Sequence, residues 1–442
     1  MNRRDVQRAH FQSQLMPWIR AYRLVMRGLV ALVLCLVPLV AQAADLALVG
    51  GTVYPNPKAG RIANAVVLVH DGHIVAVGTR GSIQIPKRTN VIDCSGKVIV
   101  SGFWNSHVHI LSPTLLHARE ASPSQLSGEM DEMFNRWGFT TVFDVGSVLD
   151  NTLALRRRID NGEVKGPRIL TTGEPLWTEV PVYVRGYLTA QGVHMPVLST
   201  ATGAAAQVRA QIASGADGIK LFTGSLQADY KVANMPLDMV RAAAEAAHRR
   251  HLPVFAHPQN SAGVEVAIGG GVDILAHAVP DSPPWTPDFV IRLKKAGMAL
   301  IPTLTLFDFE ARKMHSSEEE RSGWIQKMVS ELGVFQRCGG EVLFGTDVGY
   351  TDHFDTALEF TLMSRSGMNY RQILASLTTA PASRFRYSRH RGQIAKGMDA
   401  DLVVLDGDPA EDIVAFSKVW LTMRNGIVIF AVNPNLPTVH DL

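Results

Sequence analysis

The chain has 442 residues and a formal net charge of +3, which leaves room for a barrel-sized domain and a smaller companion. The positive surplus sits in the first 43 residues: of 43 basic and 40 acidic residues this leader takes six arginines and one aspartate, leaving 37 and 39. So balanced a remainder excludes a nucleic-acid footprint, and three cysteines without Cys-x-x-Cys spacing exclude a disulfide framework or a cysteine metal site.

The arginine-rich leader runs into the apolar stretch 28–40 and then Ala41-Gln42-Ala43. Basic region, short apolar core and A-x-A site form the pattern of a secretory signal cleaved before Ala44. The stretch is short for a membrane span, so stable membrane insertion after cleavage is not expected. The expected location is secreted or periplasmic, the alternative being a membrane anchor that keeps the segment.

From residue 45 to 97, short β-branched runs alternate with Gly, Asn and Pro: 46–49, 52–54, 65–70, 74–77 and 91–93. These are strand and turn signals without helical periodicity. The texture returns at 402–405, 419–423 and 427–431, with Arg424-Asn425-Gly426 as a turn. A small β-sandwich domain built from both chain ends is predicted, covering 44–97 plus 393–442.

Between them, over 98–392, strands alternate with helices. Strands are predicted at 98–100, 141–145, 168–171, 218–222, 254–256, 274–276, 299–302 and 342–344. Helical patterns follow at 152–159, 204–213, 237–250, from 264, at 287–295, up to 337 and at 356–364. Eight successive strand–helix units of the α/β class favour a closed (β/α)8 TIM barrel over an open sheet.

In such barrels the working residues stand at the carboxyl ends of the strands. The first strand leads to Gly102-Phe103-Trp104-Asn105-Ser106-His107-Val108-His109. On extended chain, residues two apart project to one side, so His107 and His109 can aim both imidazoles at one ion. Alone, such a pair is equally two polar residues on a strand tip. The later strand ends add Lys220, His257, His277 and Asp347. A hydrogen-bonded core histidine or a helix-capping aspartate explains any one of these, but not all together.

Lys220 is costly in a barrel mouth beside cationic metals. Driven neutral, its amine can add carbon dioxide to give a carbamate whose two oxygens bridge two divalent ions. The alternative is a plain Lys220 paired with an acid, with one ion on His107, His109, His257 and Asp347. The bridged pair is the favoured reading, with zinc as the default metal for such a set.

The mature sequence resembles the amidohydrolase superfamily, in its imidazolonepropionase-like and prolidase-like branch of Xaa-Pro or Xaa-Arg dipeptidases. The resemblance rests on Gly50-Gly51-Thr52-Val53, the stretch 98–109, and Gly397-Met398-Asp399-Ala400-Asp401-Leu402-Val403. It implies one metal on His107, His109 and Asp347, a second on His257 and His277, and a carboxylated Lys220 between them. It also implies that Asp347 takes the proton of the attacking water. The expected reaction is cleavage of a C–N bond in a dipeptide or N-acyl amino acid by a metal-activated hydroxide, and the expected partner is a small molecule. A homo-oligomer is compatible with this pattern.

The loop 174–200 departs from the branch, and the role of a carbonyl-polarising histidine falls there on His194. Arg185 and Tyr230 are the candidates for holding a substrate carboxylate, although any single loop cation is commonly just solvated. Ester, lactone or phosphotriester hydrolysis uses the same metal pair. Deaminases of the superfamily place a Glu three residues beyond the fifth-strand histidine, where this chain has Asn260. A non-catalytic binding protein would be expected to lose ligands, and none is missing.

Overall fold

The computed structural model describes residues 46–433 except 191, 194 and 196; the leader and its predicted cleavage site lie outside the described residues. The described residues within 46–85 and 89–433 belong to one compact unit, which carries the predicted site residues other than His194. No helix among the described residues is long and apolar enough to cross a membrane.

The two chain ends build two sheets. A four-stranded sheet runs in the order His73–Thr79, Ala65–His70, Leu46–Val49, Asn90–Asp93. A five-stranded sheet runs Ile427–Ala431, Val419–Arg424, Leu402–Leu405, Val98–Ser101, Thr52–Val53. Leu48 and Val67 of the first share one apolar core with Ile99, Val404 and Leu421 of the second.

The predicted strand 98–100 therefore belongs here rather than before the histidines. It pairs antiparallel with Leu402–Leu405, Leu402 facing Ser101, and the strand that carries His107 is Phe103–Val108. Gly102 makes the change of sheet: a Cβ there would meet Thr140 Oγ1 at 2.2 Å, so only glycine allows the chain to pass that close.

The middle of the chain forms two parallel arcs. One contains Phe103–Val108, Phe139–Asp144 and Arg168–Thr171; the other contains Ile219–Phe222, Val254–His257, Ile274–Leu275 and Ala299–Leu300. Nearly every residue in these strands is buried. That is why they show no apolar–polar alternation, as in Val254-Phe255-Ala256. Single parallel bridges extend the arcs, Leu176 to Leu221, Leu300 to Val342 and Val108 to Val348. The predicted last strand, 342–344, is only such a bridge, because the Phe344 amide donates to the Ser376 carbonyl instead of a neighbouring strand.

Helices follow the strands, and their starts are legible locally. Thr200 caps Ala201–Ser214 and Thr286 caps Pro287–Lys295. Ser317 and Glu320 form a capping box on Glu318–Arg337, which satisfies otherwise orphaned amides. The stretch 174–200, read from sequence as a loop, contains the helix Val182–Ala190. Its β-branched residues and Gly186 give weak helical propensity, and packing on Trp177 and Phe222 makes up the difference.

Two features fix the strand ends. Beyond the last bridge, Gly349 has φ +97°, and a Cβ on it would sit 2.0 Å from the carbonyl oxygen of His109. The helix Leu304–Lys313 is held at its start by Glu359, which accepts from the amides of Leu304 and Thr305 and from the Thr305 hydroxyl. Burial pushes the Glu359 carboxyl up from 4.5 to about 7 despite those bonds.

Gly349→Ala is expected to destabilise the fold by at least about 2 kcal/mol, read as a lower urea midpoint. Gly60→Ala, in open space, should stay within about 0.5 kcal/mol. The folded-state pKa of Glu359 lies above its unfolded value of 4.5. Its protonation therefore favours the folded state below pH 4.5, and that contribution is lost as pH rises to about 7. Urea midpoints of wild type should fall across that window, and Glu359→Gln should flatten the slope. A residual slope is expected from Glu331, which burial also raises to about 7.

Candidate metal centre and active site

His107 lies near the end of Phe103–Val108 and is fully buried. Its Nδ1 stands 2.8 Å from the Ala276 carbonyl oxygen, and Nδ1 of His109 stands 2.8 Å from that of Gly146. A carbonyl only accepts, so in both rings Nδ1 is the donor and Nε2 is the atom turned toward Asp347. Nε2 of His107 is 3.1 Å and Nε2 of His109 is 2.9 Å from the same Asp347 oxygen, Oδ1. The donor atoms of the three residues lie within 4.8 Å of one another.

Burial pushes the His107 imidazole down to about 4, helped by the neighbouring Lys220. It is therefore neutral at ordinary pH, with a lone pair on Nε2. Burial alone would raise Asp347, but a proton on a facing imidazole, or a cation standing in its place, holds it well below the usual carboxylate range, so it is an anion. Neither His107 Nε2 nor Asp347 Oδ1 has a hydrogen-bond partner of acceptable geometry. An imidazole lone pair directed at a buried carboxylate oxygen is repulsive unless a cation sits between them. This donor set fits a divalent metal ion.

The other predicted ligands line the same cavity. His257 ends the strand Val254–His257, and His277 follows Ile274–Leu275. The His107 and His277 ring centroids are 4.5 Å apart, those of His257 and His277 4.8 Å. Burial pushes His257 down to about 3 and His277 well below its ordinary value. Thr303 Oγ1 lies 2.8 Å from His277 Nδ1, while Gln259 Oε1 and the Tyr183 hydroxyl each lie 3.1 Å from His257 Nε2.

Lys220 sits inside the strand Ile219–Phe222 at 1% exposure. Burial pushes its amine down to about 7, although Asp347 and Asp144 pull the other way. Among the described residues no carboxylate comes within ion-pair distance of it, and its Nζ lies 5.7 Å over the Phe222 ring.

The backbone at these strand ends is unusual. Gln259, Thr303 and Asp347 all have positive φ, 31°, 43° and 63°. Three non-glycine residues in this region, each beside a predicted ligand or itself one, are a concentration of strain of the kind functional sites hold.

Three groups had no signal of their own in the sequence. Asp144 is fully buried; it accepts from the hydroxyls of Ser147 and Thr171, and more weakly from the Ile110 amide at 3.3 Å. Those bonds tie down the chain just after His109. Thr303 orients His277, and Tyr183 enters from the helix Val182–Ala190. Burial, with Glu310 and Asp347 nearby, raises the Tyr183 phenol well above its ordinary value, so it remains a hydroxyl.

The loop candidates fare differently. Tyr230 is 83% exposed, at the turn joining the hairpin strands Gly224–Leu226 and Val232–Asn234. Arg185 is exposed and donates to the Val180 carbonyl at 3.0 Å. Neither lines the cavity, and His194 lies outside the described residues. Asn260, at the position where deaminases carry Glu, caps the helix Ser261–Gly270 through the Gly263 amide and accepts from Asn234.

Comparison with known proteins points the same way as this geometry. The Amidohydrolase family matches residues 98–429. An ochratoxinase of Aspergillus niger is 25% identical over 396 residues, 80% of each chain. A crystal structure of a Xaa-Pro dipeptidase with methionine in its active site superposes with TM-score 0.74 at 22% identity, covering 87% of this chain and 99% of that one. A putative prolidase from Bifidobacterium longum superposes with TM-score 0.73 at 23% identity, covering 90% and 96%. The protein belongs to the amidohydrolase family and is a hydrolase of carbon–nitrogen bonds.

Proposed function

We propose that the protein is a metal-dependent hydrolase that cleaves the amide bond of a dipeptide or an N-acylated amino acid. The observation that carries this reading is the triad of His107, His109 and Asp347, the first and last buried and His109 part-buried, with Nδ1 of each imidazole turned to a carbonyl and donor atoms within 4.8 Å. The relatives named as a dipeptidase, a prolidase and an ochratoxinase support the amide. In this reading the two arcs and their bridges are one (β/α)8 barrel that begins at Phe103 and runs to 392. The end sheets, with Val98–Ser101 among their strands, form a β-sandwich domain over 44–101 and 393–442, and residues 1–43 are a signal that sends the chain to the periplasm or outside.

His107, His109 and Asp347 would hold one divalent ion, His257 and His277 a second, zinc being the expected metal. The Lys220 amine, brought down to about 7 by burial, can add carbon dioxide with release of a proton, and the resulting carbamate would supply an anionic oxygen ligand to the metals. When bound, such a pair supplies Lewis acidity to the amide carbonyl and lowers the pKa of a water. The Ala276 and Gly146 carbonyls fix the tautomers of the first two imidazoles, so each presents an unprotonated nitrogen. Asp347 accepts the proton of the attacking water and passes it to the leaving nitrogen, which would otherwise depart as a poor amide anion. The apolar wall of Trp177, Phe222 and Leu306 keeps bulk water from that transfer.

Purified protein dialysed against trace-metal-free buffer should retain close to two divalent ions per chain by plasma mass spectrometry. His107→Ala and His257→Ala should lose metal and at least about 100-fold in amide hydrolysis together. Full activity in a metal-free preparation would remove the reading. Lys220→Ala should lower activity, with partial rescue by short carboxylates such as acetate. A lysine-directed mass measurement under bicarbonate should find the carbamate in wild type; its absence there would leave the single-ion arrangement.

A further inference from the structure

The cavity over the candidate centre has a volume of about 190 Å³, and its outer wall is apolar. Trp177 and Phe222 meet edge to face at 5.2 Å between centroids, and Phe222 stacks on His257 at 4.6 Å. Leu188 and Met195 pack on that pair, with Tyr183 and Val184 of the helix Val182–Ala190 against them. These residues form their own apolar cluster, separate from the two large cores. Trp177 and Phe222 are almost fully buried, while Val184 is only partly covered.

The charges on this wall are as telling. Among the described residues, the lysines and acids lining it are Lys220, Asp347 and Glu310. Glu310 accepts from the Tyr350 hydroxyl at 2.6 Å and lies 3.5 Å from Lys313 Nζ. No described arginine lines the cavity, and Lys220 is buried in a strand beneath it. The cations of the neighbouring loops are engaged elsewhere: Arg185 on the Val180 carbonyl, Lys231 on Asp229 at 2.8 Å. A carboxylate brought against this wall would lose water and meet no arginine among the described residues, only the neutral Tyr183, Tyr350 and Gln259, whereas an aromatic ring would bury its surface against rings and aliphatic chains.

We propose that this cavity recognises its amide substrate by a large uncharged aromatic group on one side of the scissile bond, and that it reads no free carboxylate. This rests on the amide-hydrolase reading and names the substrate class for it. The aromatic group lies against Trp177, Phe222 and Leu188, with Val184 and Leu226 at its edge, and the reacting carbonyl points to His107, His109 and Asp347.

The test uses the metal-loaded full-length enzyme and four substrates: N-(2-naphthoyl)- and N-acetyl-phenylalanine, each as the free acid and as the carboxamide. The naphthoyl compounds should exceed the acetyl ones in kcat/KM by on the order of 100-fold, with acid and carboxamide within about 3-fold of each other. Binding is read separately with N-phenyl-1-naphthylamine, a neutral aromatic fluorophore, which should bind and compete with the naphthoyl substrates. Val184→Asp and Leu226→Asp put a carboxylate into the less buried edge of the wall. Both should weaken fluorophore binding and cut the naphthoyl preference by about 10-fold. Fluorophore binding without hydrolysis of any of the four compounds would uphold the cavity and sink the hydrolase reading. Hydrolysis with no naphthoyl preference, or with strict dependence on the free acid, would overturn the proposal and leave the hydrolase intact. Fluorophore binding unchanged in both variants would overturn it as well.

Discussion

Two imidazole Nε2 atoms, those of His107 and His109, and one carboxylate oxygen turned toward the same point set the terms for this molecule. Water has been removed from His107 and Asp347, so the repulsion between lone pairs is weakly screened. Such an arrangement is maintained only if the scaffold leaves it no escape. The Ala276 and Gly146 carbonyls hold the rings from behind, and the Asp347 amide donates to the His107 carbonyl at 2.9 Å. The carbonyls come from the sixth and second strand regions, and Asp347 from the eighth. The site therefore depends on the mutual placement of several parallel strands rather than on any one loop.

The rest of the middle region can be understood as support for that placement. Asp144 ties the segment after His109 to the hydroxyls of Ser147 and Thr171. Thr303 orients His277, and Glu359 holds the start of the helix that follows Thr303. Each of these groups is buried and polar, and each finds its partners, as expected where a lost bond costs a full desolvation. The orphaned atoms at the centre, His107 Nε2 and Asp347 Oδ1, therefore stand out against these satisfied neighbours.

Much of this was legible in the sequence, and the parts that were not have physical reasons. Strand ends carrying Lys220, His257 and His277 could be read from apolar runs with polar residues at their ends, because parallel strands buried on both faces leave that mark; His107 and His109 were legible from their spacing rather than from the run before them. The run 98–100 was assigned to the wrong sheet, since Val-Ile-Val is equally at home between two sheets or inside a parallel one, and only the space around Gly102 tells which. Tyr230 and Tyr183 have equal standing as loop tyrosines. Their fates differ because one sits on a hairpin turn and the other on a helix folded back over the strands. Thr303 and Glu359 act through a ring nitrogen and two backbone amides, contacts with no sequence spacing to betray them.

The pairing of Val98–Ser101 with Leu402–Leu405 bears on the order in which the chain is made. The strand is apolar and lies between Thr52–Val53 and Leu402–Leu405 in its sheet. Its second neighbour is translated roughly 300 residues later, about 15–60 s at ribosomal speeds of 5–20 residues per second. Throughout that interval one edge of Val-Ile-Val-Ser has no intramolecular partner, a template for association with another nascent chain. The strands that complete the sheet are thus also the ones that end its exposure, which makes the nascent chain most dependent on chaperone protection during the long synthesis of its catalytic middle.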